Sequence, residues 1–166
     1  YKPIIPFYST FLQRAYDNIF HDVLLQDLPI ILCMDRAGVV GPDGPTHHGV
    51  YDISLLRGLP NLIITAPKDG NELKNLIATG LTLKKESMSI RYPKDTSYEF
   101  DEELLEEILD IGSWEKLQSG EKVVILATGS MVGIVSLNYD DICDNLEFNP
   151  ELINARFIKP MDLEML

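Results

Sequence analysis

The chain has 166 residues, 45% hydrophobic and 24% charged, with 14 Lys and Arg against 26 Asp and Glu, a formal net charge of -12. That apolar content excludes a disordered chain, and no apolar run approaches the ~18–20 residues of a membrane span. Bulk acidity argues against a nucleic-acid binder, whose footprint is basic. The acid is uneven. Residues 1–98 hold 10 acidic and 10 basic side chains and residues 99–166 hold 16 and 4, so the second stretch carries the whole -12. Two cysteines, Cys33 and Cys143, are too few for a disulfide framework and have no zinc spacing. The reducing cytoplasm is the expected compartment. The chain opens at Tyr1 without Met and reads as an internal piece of something longer.

Strand and helix signals alternate through the first region. Lys2–Tyr8 is a short apolar run whose Pro3 and Pro6 suit a strand start or edge. Ser9 or Thr10 is placed to cap a helix. Behind it Phe11/Leu12, Ala15/Tyr16, Ile19/Phe20 and Val23/Leu24 recur every four residues, which predicts an amphipathic helix to about Gln26. Pro29–Met34 is a continuous apolar run, the pattern of a strand buried on both faces. A Gly- and Pro-rich loop fills Arg36–Val50, with a short helical stretch near Ile53–Arg57. Asn61–Ala66 is the next buried strand, Asp69 caps a helix to about Leu83, and Ser87–Tyr92 is the fourth strand. This order predicts an α/β fold, a parallel sheet with helices on both faces.

The pattern then breaks. Asp101–Asp110 reads as one or two docked helical turns or as a linker, and Ile111–Leu117 as a strand. Val123–Ala127 is a buried-type strand, followed by a helical stretch to about Leu146 and a strand at Ile153–Ile158. These residues look like the start of a second α/β domain.

In an open parallel sheet, ligands sit beyond the carboxyl ends of the strands. Tyr8, Asp35, Arg36 and Arg91 all fall at that edge, and the 36–50 loop, with Asp43, His47 and His48, leaves from it. Phe11 and Arg14 are three residues apart and share a helix face. Two arginines near a helix start suit a phosphate or carboxylate; the competing reading pairs Arg36 with Asp35 or Asp43, and Arg91 with another carboxylate. His47 is either a proton-transfer group or a loop histidine with a structural hydrogen bond. Phe11 is either a core residue or a platform for a flat heterocycle. No metal-ligand set is apparent. No nucleophile elbow, P-loop or dinucleotide fingerprint is present.

At YSTFLQRAYDNIFHDV (Tyr8–Val23), DRAGVVGPDGPTHHGVYD (Asp35–Asp52) and RYP (Arg91–Pro93) the sequence resembles the 1-deoxy-D-xylulose-5-phosphate synthase family of transketolase-like, thiamine-diphosphate enzymes. Supporting stretches are NLIITAPKD and RFIKPMD (Arg156–Asp162). The resemblance implies a partial pyrimidine-binding domain over 1–95, an acidic linker over 96–120, and the beginning of a transketolase C-terminal-like domain over 121–166. It implies a transferase that condenses pyruvate with D-glyceraldehyde 3-phosphate, with loss of carbon dioxide. By motif, Phe11 would stack on the aminopyrimidine of the cofactor, and Tyr8 and Arg14 would line the site near the reacting carbons. Arg36 and Arg91 would hold the substrate phosphate. Asp43 and His47 would bind substrate hydroxyls, with His47 also moving a proton. The cofactors implied are thiamine diphosphate and Mg2+, whose diphosphate and metal ligands, like the family's catalytic glutamate, belong to segments not found in these residues. A homodimer with no nucleic acid or membrane partner, in the cytoplasm or a plastid, completes the expectation, with the isolated chain inactive. The rival expectations are another transketolase-like enzyme and a non-catalytic α/β binding module.

Overall fold

The computed structural model describes residues 1–97 and 99–166. Strands β1 (Ile4–Tyr8), β2 (Ile31–Asp35), β3 (Leu62–Thr65) and β4 (Ser87–Arg91) form a parallel sheet in the order β1-β2-β4-β3. The continuous apolar runs follow from burial on both faces. Leu32 and Met34 turn to a core with Leu12, Ile19, Leu24, Leu56 and Ile64, whereas Ile31 and Cys33 turn to one with Leu76, Met88, Ile90 and Phe157.

The helical stretch predicted after β1 is present but irregular. A 3-10 segment (Ser9–Arg14) leads into the brief α1 (Tyr16–Asn18), a π turn (Ile19–Val23) and a second 3-10 turn (Leu24–Gln26). Neither Ser9 nor Thr10 caps it: Tyr8 occupies the cap position without a side-chain bond. The π turn widens the repeat, so that Leu24, five residues beyond Ile19, is buried while Val23 is only half-buried. Two further helices, α2 (Asp52–Leu56) and α3 (Gly70–Thr82), follow β2 and β3. The Asp69 carboxylate accepts from Glu72 N at 2.8 Å as the predicted cap, and Glu72 reaches back past it to accept from Lys68 N at 2.7 Å.

Residues 101–110 form neither a helix nor a free linker. They lie as a strap along α3, where Asn71 and Asn75 side-chain oxygens accept from Asp101 N and Glu107 N, and Leu109 N donates to Thr79 Oγ1. Six acids crowded into ten residues disfavour a helix by mutual repulsion, and the α3 amides supply the backbone partners that a helix would have supplied internally.

The second region has β5 (Glu115–Gln118), β6 (Val124–Ala127) and β7 (Glu151–Asn154) in the order β5-β7-β6, with α4 (Met131–Leu137) and α5 (Tyr139–Leu146) between β6 and β7. The single strand expected over Ile153–Ile158 is two. β7 ends at Asn154, the chain turns through Ala155 and Arg156, and β8 (Phe157–Lys159) enters the first sheet antiparallel to β3. Phe157 is fully buried there and its carbonyl accepts from Trp114 Nε1 at 2.8 Å. The first sheet is therefore mixed, and the two regions share one core.

No helix among the described residues is long and apolar enough to cross a membrane. Cys33 is a buried free thiol, pushed up in pKa by that burial, and Cys143 is a half-buried one.

Candidate active site

The parallel register sets Tyr8 opposite Asp35 and Arg91 opposite Met34, so the three strand ends open on one edge. Directly after Tyr8 the tight 3-10 turn folds Phe11 back onto it. The two rings stack with centroids 5.8 Å apart and planes 14° from parallel. His47 meets both rings edge-on, at 5.7 Å from Phe11 and 6.1 Å from Tyr8. The exposed Arg14 lays its guanidinium carbon 4.7 Å over the Phe11 ring, and Arg36 lays its own 3.9 Å over Tyr8. Residues from three separate stretches, 8–14, 36 and 47, thus form one aromatic and cationic cluster.

The 36–50 loop is held in shape by its own backbone. Gly38 and Gly49 exchange both N–H···O bonds at 2.8 Å, Ala37 N donates to Tyr92 O, and Val40 N donates to His48 Nδ1 at 3.0 Å. His48 is therefore a structural ligand of the loop. Only glycine fits at 49, where a Cβ would stand 2.5 Å from Arg36 O and from Ser9 Cβ. A 3-10 turn (Pro45–His47) presents His47, whose Nδ1 lies 3.0 Å from Thr46 Oγ1, and Thr10 Oγ1 donates to Thr46 O, tying the turn to the first helical segment.

Every arginine predicted at the strand ends has a carboxylate partner. Arg36 donates from Nη1 to Asp35 and from Nε to Asp43 Oδ2 at 3.1 Å, and its left-handed φ of 58° is supported by its N–H bond to Asp35 Oδ1. Lys94 Nζ reaches Asp43 Oδ1 at 2.6 Å. The Lys94 hydrogen bond, with that of Arg36, holds the Asp43 carboxyl below the usual carboxylate range. Arg91 Nε donates to Asp52 Oδ2 at 2.8 Å, and Asp52 is 2% exposed. The edge is thus charge-balanced by design of pairs, Arg36, Lys94 and Arg91 facing Asp35, Asp43 and Asp52, with Arg14 in excess. An anion would be held there by directed N–H groups rather than by net charge.

Tyr8, Phe11, Arg14, Arg36, Asp43 and His47 come together in the cluster. Arg91 stands at the same edge but in its own pair with Asp52. Asp52 and Lys94 are the polar members that sequence reasoning did not single out. Lys94 follows the RYP stretch directly, so its proximity to the strand end was the available signal. Asp52 opens a helix, where an acid is ordinary. Among the described residues no group of three or more His, Cys, Asp or Glu is placed to hold a metal ion.

A cleft of about 330 Å³ adjoins this edge, lined by Lys68, Leu73, Tyr92, Thr96, Ser130 and Ile134 among others. It lies between the start of α3, the segment that follows β4, and α4. Burial pushes the Tyr92 hydroxyl up to about 12, with the neighbouring Cys33 and Asp35 adding to the shift.

Comparison with known proteins gives a consistent picture. Residues 1–98 match the family described as "Transketolase, pyrimidine binding domain", and residues 112–166 match "Transketolase, C-terminal domain". The chain is 47% identical over 168 residues to a 1-deoxy-D-xylulose-5-phosphate synthase of Thermosynechococcus vestitus, covering 99% of this chain and 26% of that protein. It is likewise 47% identical over 165 residues to the synthase of Aquifex aeolicus, again covering 99% and 26%. The chain spans about a quarter of the length of the curated relatives it matches. Among solved structures it resembles a split-gene transketolase described as an inactive β4 tetramer, with a TM-score of 0.83 at 21% identity, over 98% of this chain and 52% of that one. A Pichia stipitis transketolase mutant superposes with a TM-score of 0.78 at 17% identity, over 98% and 25%. The structural likenesses speak to the fold.

Proposed function

The chain belongs to the transketolase family through its pyrimidine-binding domain, and from that membership we propose that a protein carrying it acts as a 1-deoxy-D-xylulose-5-phosphate synthase. Such a protein condenses pyruvate with D-glyceraldehyde 3-phosphate and releases carbon dioxide. The activity belongs to the whole protein, in which this chain meets the regions that its relatives add.

The observation that carries the reading is the Tyr8–Phe11–His47 cluster beside Arg36 and Asp43, at the sheet edge where ligands of this architecture collect. The residues fit the pyrimidine half of thiamine diphosphate. Phe11 is a half-buried ring whose face already carries a flat cation, the exposed Arg14 guanidinium, at stacking distance. A planar heterocycle can take that place. When bound, the cofactor supplies the carbanion chemistry that side chains lack. Its diphosphate and Mg2+ are assigned to the regions that the relatives add.

This chain's own residues bind and orient. Phe11 holds the pyrimidine ring, with Tyr8 and Arg14 lining the space beside it. Arg36 and Arg91 meet the acceptor's phosphate, and Asp43 and His47 meet its hydroxyls. The Thr46 hydroxyl on His47 Nδ1 leaves Nε2 to hold or pass a proton. The same reading makes the protein a homodimer in the cytoplasm, or in a plastid if the parent is of plant type.

The test is incubation of the full-length protein with pyruvate, D-glyceraldehyde 3-phosphate, thiamine diphosphate and Mg2+. Carbon dioxide and a pentulose phosphate should appear together. Turnover only with a ketose donor would identify a different transketolase-like enzyme, and no turnover with either donor would leave a binding module.

A further inference from the structure

Asp52 is the first residue of α2 and one of the few charged side chains sealed inside the molecule, 2% exposed. Its Oδ2 accepts from Arg91 Nε at 2.8 Å. Its Oδ1 is buried and meets no partner among the described residues. A buried carboxylate with a half-satisfied hydrogen-bonding set is costly, and an arginine held by a single nitrogen does not repay it in full. Stability alone is a poor reason for this pair.

The geometry suggests a different reason. Guanidinium N–H bonds point in fixed directions within one plane. Fixing Nε–H on a buried acceptor leaves the distal edge, with its two parallel N–H bonds, to meet an oxyanion. Among the described residues Arg91 makes no hydrogen bond from Nη1 or Nη2, and its side chain is 17% exposed at the open end of β4. Arg36 differs: it spends Nη1 on Asp35 and Nε on Asp43. Of the two strand-end arginines, Arg91 therefore has the free fork.

We propose that Asp52 is a positioning residue that aims the Nη edge of Arg91 at the phosphate of the acceptor. The inference rests on the reading above, in which Arg91 meets that phosphate. It acts through Arg91 alone, because Asp52 is sealed from the site.

The test uses the full-length protein and two measurements. In the first, calorimetry follows D-glyceraldehyde 3-phosphate binding to the parent, Asp52→Asn, Arg91→Ala and the double variant. Asp52→Asn keeps the side-chain volume and one acceptor oxygen, and it should weaken binding about 10- to 100-fold, the worth of a hydrogen bond to a charged group. In the Arg91→Ala background the same change should add less than about twofold, since its effect passes through Arg91. In the second, steady-state kinetics should show a raised KM for the phosphorylated aldehyde, with the KM for pyruvate within about twofold. Additive losses, or equal rises in both KM values, overturn the inference and make Asp52 a purely structural acid. If Asp52→Asn fails to fold, Asp52→Ser, which keeps a small hydroxyl acceptor, takes its place under the same criteria. A parent protein that makes no pentulose phosphate overturns the activity reading instead. Calorimetry needs no turnover and still decides the role of Asp52.

Discussion

Arg36 lies across the Tyr8 ring with its guanidinium carbon 3.9 Å from the ring centroid, while Asp35 and Asp43 hold its nitrogens. One side chain thereby joins the end of β1, the end of β2 and the loop that follows. The contact is geometric as well as electrostatic, since a planar cation can lie flat on a ring and grip two carboxylates in its own plane.

Lysine cannot copy that arrangement. In the full-length protein Arg36→Lys should raise the KM for D-glyceraldehyde 3-phosphate by roughly tenfold or more and that for pyruvate by less than about threefold. Steady-state kinetics with each substrate varied in turn will show the split. Equal rises would remove Arg36 from phosphate binding.

Phe11 should matter to the cofactor more than to the fold, because it is half-buried while its neighbour Leu12 is fully buried. Phe11→Ala is expected to weaken thiamine diphosphate by about 1–3 kcal/mol, the usual worth of a stacked ring. Activation curves against cofactor concentration measure this. An unchanged half-saturation point would assign the pyrimidine ring elsewhere.

Gly49→Ala is the sharpest test of the loop. The new methyl would press on Arg36 O and Ser9 Cβ at 2.5 Å, and a backbone oxygen has little room to yield. A loss of about 1–3 kcal/mol follows from overpacking of this kind. Chemical denaturation of the full-length protein should show a lowered midpoint, and aldehyde phosphate binding should weaken with it. A wild-type midpoint would mean that the loop moves freely.

Two glutamates at the junction of the sheets should give opposite pH signatures. Burial pushes the Glu115 carboxyl up, but the Lys68 ammonium at 2.6 Å and the Asn154 amide outweigh it, so Glu115 titrates below its ordinary 4.5. Its contribution is present above that value and is lost as pH falls through the lowered one. Glu72 is raised from 4.5 because burial dominates its bonds from Lys68 N and Asn154. Its favourable share exists below 4.5 and disappears as pH rises through the raised value. Glu115→Gln should therefore destabilise the protein near pH 7 and cease to do so in acid, measured as denaturation midpoints across pH. A deficit that persisted at low pH would show that Glu115 acts by packing and not by charge.

Much of this was legible in the sequence. Pro29–Met34, Asn61–Ala66 and Ser87–Tyr92 announced strands because burial on both faces demands unbroken apolar runs. Asp69 announced a helix because a short acid ahead of an apolar repeat satisfies free N–H groups. The clustering of Tyr8, Phe11, Arg14, Arg36, Asp43 and His47 followed from the rule for strand ends. What stayed hidden depended on partners distant in sequence. Asp52 looks like any acid at a helix start until Arg91, thirty-nine residues on, arrives beside it. The strap over 101–110 owes its shape to Asn71, Asn75 and Thr79 on α3 rather than to its own residues. Likewise nothing in Phe157–Lys159 says that it will pair with β3 instead of extending β7.

That last pairing bears on how the chain is made. Ile64 meets Lys159 and Thr65 meets Phe157, so one side of β3 waits more than ninety residues for its neighbour. Closing so long a loop is slow, and an apolar strand edge left open during synthesis is a site for wrong association. A gene divided between β4 and β5 would leave the first product with that edge bare. Any split compatible with a soluble product should fall ahead of β1 or beyond β8, keeping residues 4–159 on a single polypeptide.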